Sequence, residues 1–163
     1  LNSGNNTISS SVAGLLYFSL HHSGTINVKV TSGGVKSPLF ILGKHSQADW
    51  QNMLNNTTES SVCELLSNRT YTAVSRDSAL KYLNGKDPTP LLKRYDQAVE
   101  IEDIATGLSP NAARPYNRPD PHRLAHIEDI SNQYYMYAFY HVTGYGTNTI
   151  KTILDVDEFF NNG

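Results

Sequence analysis

In Gly24-Thr25-Ile26-Asn27-Val28-Lys29-Val30, the branched residues Ile26, Val28 and Val30 alternate with the polar Thr25, Asn27 and Lys29. A period of two puts the branched side chains on one face of a strand and the polar ones on the other. Upstream, residues 12–20 are apolar, include Tyr17 and Phe18, and suit a buried strand. The polar run His21-His22-Ser23-Gly24 supplies the bend between these two strands. Gly33-Gly34 closes the second, and Pro38-Leu39-Phe40-Ile41-Leu42-Gly43 predicts a third. Residues 1–11, mostly Asn, Ser, Gly and Thr, read as an N-terminal arm or loop.

Further along, Ser46 followed by Asp49, with Trp50, Met53 and Leu54 on one side, predicts a short helix over 47–55. Ser61-Val62-Cys63-Glu64 repeats that capping logic over one or two turns. Residues 69–75 read as a strand. Residues 77–83 read as a helical turn ending at Asn84-Gly85, with a tight hairpin at Asn84-Gly85 as the alternative. Ala98-Val99-Glu100-Ile101-Glu102-Asp103-Ile104 alternates again, with Val99 and Ile101 inward, and predicts a strand. Pro110, Pro115, Pro119 and Pro121 make residues 109–121 an extended loop. The run from Tyr134 to Val142 predicts one strong strand, Gly144-Tyr145-Gly146 a turn, and residues 149–156 a closing strand. No repeat or composition break divides residues 12–163, which are expected to form a single domain. Many short strands with long loops point to a mainly β, antiparallel sandwich.

Composition narrows the function. The 163 residues carry 13 Lys+Arg and 15 Asp+Glu, a formal charge of −2, and only 17% are charged. Asn, Ser and Thr together contribute 44 residues, so the surface is polar mainly through amides and hydroxyls. Without a basic excess the chain has little to neutralise phosphates, so it is not expected to bind nucleic acid by itself. No apolar run is long enough to span a membrane. The single Cys63 excludes an internal disulfide framework and a cysteine metal cluster. Sequons stand at Asn5, Asn55, Asn56 and Asn68, a number that this much Asn and Thr produces by chance. The chain starts at Leu1 with no basic-then-apolar leader, which suggests a processed or incompletely represented chain.

Several constellations could carry chemistry. In Asp120-Pro121-His122-Arg123-Leu124-Ala125-His126-Ile127-Glu128-Asp129, Asp120 could cap a helix with Pro121 in its first turn. His122 and His126 would then share one face, four residues apart, with Asp129 close by, as two imidazole metal ligands require. The zincin pattern, however, places Glu directly after its first His, and here that position is Arg123, a cation that opposes a metal. A solvated helical turn is therefore preferred. Gly107-Leu108-Ser109-Pro110 begins like a nucleophile elbow, but Pro110 lacks the N–H that an oxyanion hole needs. Cys63 lies among Val and Leu as a buried thiol does. Glu100 and Glu102 read as a solvent face, as do Asp155, Asp157 and Glu158, and Gly144-Tyr145-Gly146 lacks the rest of a phosphate fingerprint. The tyrosines of 134–140 suit a two-faced buried strand better than a sugar-stacking platform. No catalytic, cofactor-binding or metal-ligating residue is expected.

One segment resembles a known family. Leu15-Leu16-Tyr17-Phe18-Ser19-Leu20-His21-His22-Ser23-Gly24-Thr25-Ile26-Asn27-Val28-Lys29-Val30 is similar to the C–D strand pair of picorna-like virus capsid proteins. There an aromatic strand leads into a Gly-Ser/Thr-Ile-x-Val strand. The resemblance implies an eight-stranded jelly roll, whole or lacking its first strands, that tiles an icosahedral shell. It implies no catalysis and no cofactor. The partners would be other capsid subunits, identical and different, and a host receptor met through surface loops. The place would be the virion, assembled in the host cytoplasm. The alternatives are a secreted carbohydrate-binding sandwich and, third, a metal-dependent hydrolase using His122 and His126.

Overall fold

The computed structural model describes residues 4–11, 14–18, 25–155 and 158. Contacts divide the chain into two compact units, residues 1–34 and 35–163. In the first unit, the described residues hold no helix or strand. Ile26, Val28 and Val30 are about half exposed despite their alternation. Alternation gives a strand only a potential face; without a paired neighbour the backbone groups have no ladder to join. The strand expected over 12–20 is likewise absent where residues 14–18 are described, while 12, 13 and 19–24, the bend included, lie outside the described residues.

The second unit is built on one six-stranded mixed sheet, not on a sandwich. Its strands are β1 (Leu39–Ile41), β2 (Val62–Leu66), β3 (Thr70–Ser75), β4 (Leu124–Asp129), β5 (Met136–Phe139) and β6 (Val142–Gly146). They lie in the order β1-β2-β3-β4-β6-β5. β1 and β2, β3 and β4, and β4 and β6 pair in parallel; only β2–β3 and β5–β6 are antiparallel. An antiparallel jelly roll is therefore excluded. Parallel neighbours need long crossovers, usually helical: α1 (Gln47–Asn56) joins β1 to β2, and α2 (Arg76–Leu83) and α3 (Thr89–Ala105) lie between β3 and β4, whereas β4 reaches β6 through β5; a last turn, α4 (Lys151–Leu154), follows β6.

Helix α1 forms as its sequence predicts. Ser46 Oγ accepts from Asp49 N–H at 3.2 Å, and Asp49 Oδ2 accepts from Ser46 N–H at 2.8 Å, so two orphan donors are satisfied reciprocally. Four residues apart, Trp50 and Leu54 face the core. Trp50 meets Phe40 of β1 edge-on and donates from Nε1 to Leu83 O at 3.2 Å, which ties α1 to the end of α2. Burial of such side chains is worth about 1.5–3 kcal/mol each. Helix α2 confirms the expected turn over 77–83; Gly85, at φ +74°, follows its end.

The strand expected at 98–104 is instead the second half of α3. Pro90 sits in the first turn, where its missing N–H costs nothing. Leu91, Leu92 and Tyr95 bury the helix against the sheet, while Ile101 and Ile104 face solvent. The Val99/Ile101 alternation thus marks no strand face, and Glu100 and Glu102 lie on the exposed part of this helix. Asp96 of α3 accepts from Ser67 Oγ at 2.5 Å and from Arg69 N–H at 2.9 Å, gripping the β2–β3 turn. Arg69 adds an ion pair to Asp103 at 2.7 Å.

Other expectations also change. Ser61-Val62-Cys63-Glu64 opens β2 rather than a helix, because partners on both sides absorb its backbone groups. Gly107, at φ +76°, ends α3 and forms no elbow. The Tyr-rich run breaks at Tyr140-His141 into the β5–β6 hairpin, with Tyr140 at φ +49°. Gly144-Tyr145-Gly146 lies inside β6, and where a closing strand was expected there is α4, with residues 156 and 157 outside the described set. No described helix is long and apolar enough to cross a membrane.

Candidate functional site

The helical turn expected from Asp120 does not form: residues 120–123 are a loop, and the rest of the stretch to Asp129 is β4. Asp120 does begin as a cap would, its Oδ1 accepting from His122 N–H at 2.8 Å. No helix follows, because Leu124 to Asp129 are claimed from both sides by β3 and β6. The two histidines therefore part company. His126 points inward, against the Tyr95 ring at 4.9 Å, with Nδ1 2.7 Å from Thr143 Oγ1. Burial pushes its imidazole down to about 4, so at neutral pH it is an uncharged core residue. His122 stays in solvent.

His122 instead meets a residue that the sequence reading did not single out. The β4–β6 register pairs Ala125 with Val142, and Ala125 N–H donates to His141 O at 2.7 Å. Two parallel strands thus begin side by side, bringing the loop before β4 against the β5–β6 turn. There the His122 and His141 rings stack at 5.5 Å between centroids. Asp120 Oδ1 accepts from His122 Nδ1 at 2.7 Å, and Asp120 Oδ2 lies 3.6 Å from His141 Nδ1. One ligand atom from each of the three residues falls within 4.8 Å of the others. The backbone and side-chain bonds from His122, with the charges of both imidazoles, hold the Asp120 carboxyl below the usual carboxylate range. Among the described residues, this is the cluster of three whose donors converge.

Arg123, expected to repel a cation here, is turned away: its Nε donates to Ser67 O at 2.8 Å, beside the β2–β3 turn. Asp129 is also elsewhere, accepting from Ser131 N–H and Oγ in the next turn. Glu128 faces the opposite end of the sheet, where its carboxylate accepts from Ser75 N–H at 2.6 Å and Ser78 Oγ at 2.7 Å at the start of α2. It is committed to structure. Cys63 is fully buried, and desolvation raises its thiol to about 11, so it is no nucleophile.

Comparison with known proteins gives a consistent answer. Residues 33–163 match the family model described as Peptidase M60, enhancin and enhancin-like. A curated relative, TRPM8 channel-associated factor 3 of Rattus norvegicus, is 32% identical over 133 residues, covering 80% of this chain and 14% of that protein. A functionally unknown conserved protein from Bacillus anthracis has a solved structure with TM-score 0.75 and 32% identity, covering 82% of this chain and 28% of that one. A solved metallopeptidase in complex with Tn antigen gives TM-score 0.65 at 17% identity, covering 81% of this chain and 23% of that one. The chain thus spans well under a third of these proteins. The match overturns the capsid reading together with its shell partners, host receptor and virion location. It also overturns the view of the chain as a purely structural, non-enzymatic subunit, since the matching family is one of peptidases.

Proposed function

The chain belongs to the M60 peptidase family, enhancin and enhancin-like, and on that premise we propose that it forms the mixed-sheet part of a metal-dependent peptidase acting on glycosylated polypeptides. The observation that carries the reading is the extent of the match. Residues 33–163 include the whole unit from 35 to 163, every strand and helix of it. The solved metallopeptidase that holds Tn antigen supports the substrate class. Of the functions weighed from sequence, the metal-dependent hydrolase is thus the one supported, although not through His122 and His126 as a pair.

Hydrolysis by a bound metal needs ligands with an open position and a base for the attacking water. The 163 residues contain no His-Glu-x-x-His run. His126 is buried, and the Asp120–His122–His141 cluster has its single carboxylate as a ligand candidate, with no second acid in the group to act as base. These residues do not fit a hydrolytic centre, and the proposal assigns them no step of hydrolysis. What they provide on this reading is scaffold: they stand where the parallel β4 and β6 of the mixed sheet begin side by side.

The test is an assay of the protein as its gene encodes it, on a Tn-bearing glycopeptide and its bare counterpart, with mass spectrometry of the products. Cleavage that a zinc chelator abolishes and excess zinc restores is expected, with the glycopeptide preferred. Absence of cleavage of any polypeptide by the metal-replete protein would overturn the reading and leave a non-hydrolytic member of the family.

A further inference from the structure

We propose that Asp120, His122 and His141 form a binding site for one transition-metal dication, with Zn²⁺ the best match, and that the ion clamps the loop before β4 to the β5–β6 turn. This goes beyond the peptidase reading and does not depend on it. The donor set decides the class of ion. Two imidazoles and a carboxylate suit zinc, nickel or copper, whereas calcium and magnesium want oxygen alone. Three protein ligands leave a fourth position for water, and with no second acid in the cluster to act as base, the ion's role is to tie the two loops together.

The geometry is close to what an ion needs. Donors held about 2.0–2.2 Å from a tetrahedral zinc lie roughly 3.5 Å from one another. Here one donor from each residue already falls within 4.8 Å of the other two. Closing the remainder takes side-chain rotation only. All three side chains are exposed, and the two imidazoles can turn about a carboxylate and a backbone that are held. The Ala125–His141 bond and the Ala125–Val142 register hold the turn, and the His122 N–H bond to Asp120 holds the loop. The charge balance favours a cation as well. The cluster includes a carboxylate, and the neighbouring guanidinium of Arg123 is engaged with Ser67 O rather than the cluster.

The sequence hid this site for a definite reason. His122 and Asp120 are two apart, but His141 is 19 positions beyond His122, and only the parallel register of β4 and β6 joins them.

The metal-free 163-residue chain should take up about one equivalent of Zn²⁺ in equilibrium dialysis read by elemental analysis. H122A and H141A should each weaken uptake by about tenfold or more, and excess Ca²⁺ or Mg²⁺ should not displace the zinc. Circular dichroism checks that the variants fold, which the exposure of both side chains favours. D120N keeps the acceptor for His122 N–H while removing the charge, and should weaken uptake with the fold unchanged. Failure of the wild-type chain to take up stoichiometric zinc would overturn the site. So would undiminished uptake by the folded H122A/H141A double variant. Because the readout is binding, neither result bears on peptidase activity.

Discussion

The two ends of the sheet carry similar side chains to opposite fates. At one end Phe40 of β1 and Leu65 of β2 are fully buried, sealed by Trp50 and Leu54 of α1. At the other, β5 presents Met136, Tyr137, Ala138 and Phe139, and all four are exposed. Tyr134, Tyr135 and Tyr140 beside it are exposed too. What separates the ends is cover. Both β1 and β5 are edge strands, but next to β1 a helix with an apolar stripe lies across the sheet, whereas among the described residues β5 packs chiefly on β6. Apolar character supplies the capacity for burial; a neighbouring element has to realise it.

Truncation at the covered end should therefore have the largest effect. Trp50→Ala removes the ring against Phe40, opens a cavity and leaves Leu83 O without its indole donor. A loss of about 3–5 kcal/mol is expected in equilibrium urea denaturation. If the loss were no greater than that of Phe139→Ala, the contrast between the ends would fail.

Next in size is a pH effect in the middle of the sheet, at His126 on β4. Above about pH 6.5, the ordinary histidine value, the ring is neutral in both folded and unfolded chains, and its stabilising contacts are intact. As pH falls toward about 4, the unfolded chain takes up a proton that the folded chain refuses. Stability must drop across that window and level off below it. The full loss from this one group is on the order of 3 kcal/mol. Urea midpoints taken across the window should fall less steeply for His126→Gln than for wild type. Equal slopes would mean that His126 takes its proton as readily folded as unfolded.

Legibility in the sequence followed the same division. Where a signal was local and its element was covered, it was readable: the Ser46/Asp49 box, the Pro38–Gly43 strand, the β3 run and the buried thiol of Cys63 all stand as expected. Where a reading needed a neighbour, it went astray. Ile26, Val28 and Val30 alternate without a partner strand among the described residues, and the family resemblance rested on them. Val99 and Ile101 alternate on a helix whose buried side chains, Leu91, Leu92 and Tyr95, lie in its first half. The Tyr run looked like one long strand because nothing local marks Tyr140-His141 as its turn; Tyr140 adopts its left-handed φ with no glycine to announce it. Of the cluster, the sequence reading placed Asp120 and His122 correctly in one stretch but gave them the wrong partner. The interaction that assembles it, β4 against β6, is long-range and leaves no periodicity to find.

The smallest effect belongs to the uncovered end, and it is the most direct probe of why β5 differs. Phe139 is two-thirds exposed, and the ring it meets among the described residues, Tyr140, is more exposed still. Phe139→Lys removes little packed surface, and its backbone pairing with Val142 survives the change. A shift within about 0.5 kcal/mol is expected from urea denaturation. A charged side chain on an edge strand also discourages pairing with a second copy, so any concentration-dependent association seen by sedimentation should decrease. A loss above 2 kcal/mol would show that the ring is covered in solution. The edge would then be an interface like the one beneath α1, and the contrast between the two ends would disappear.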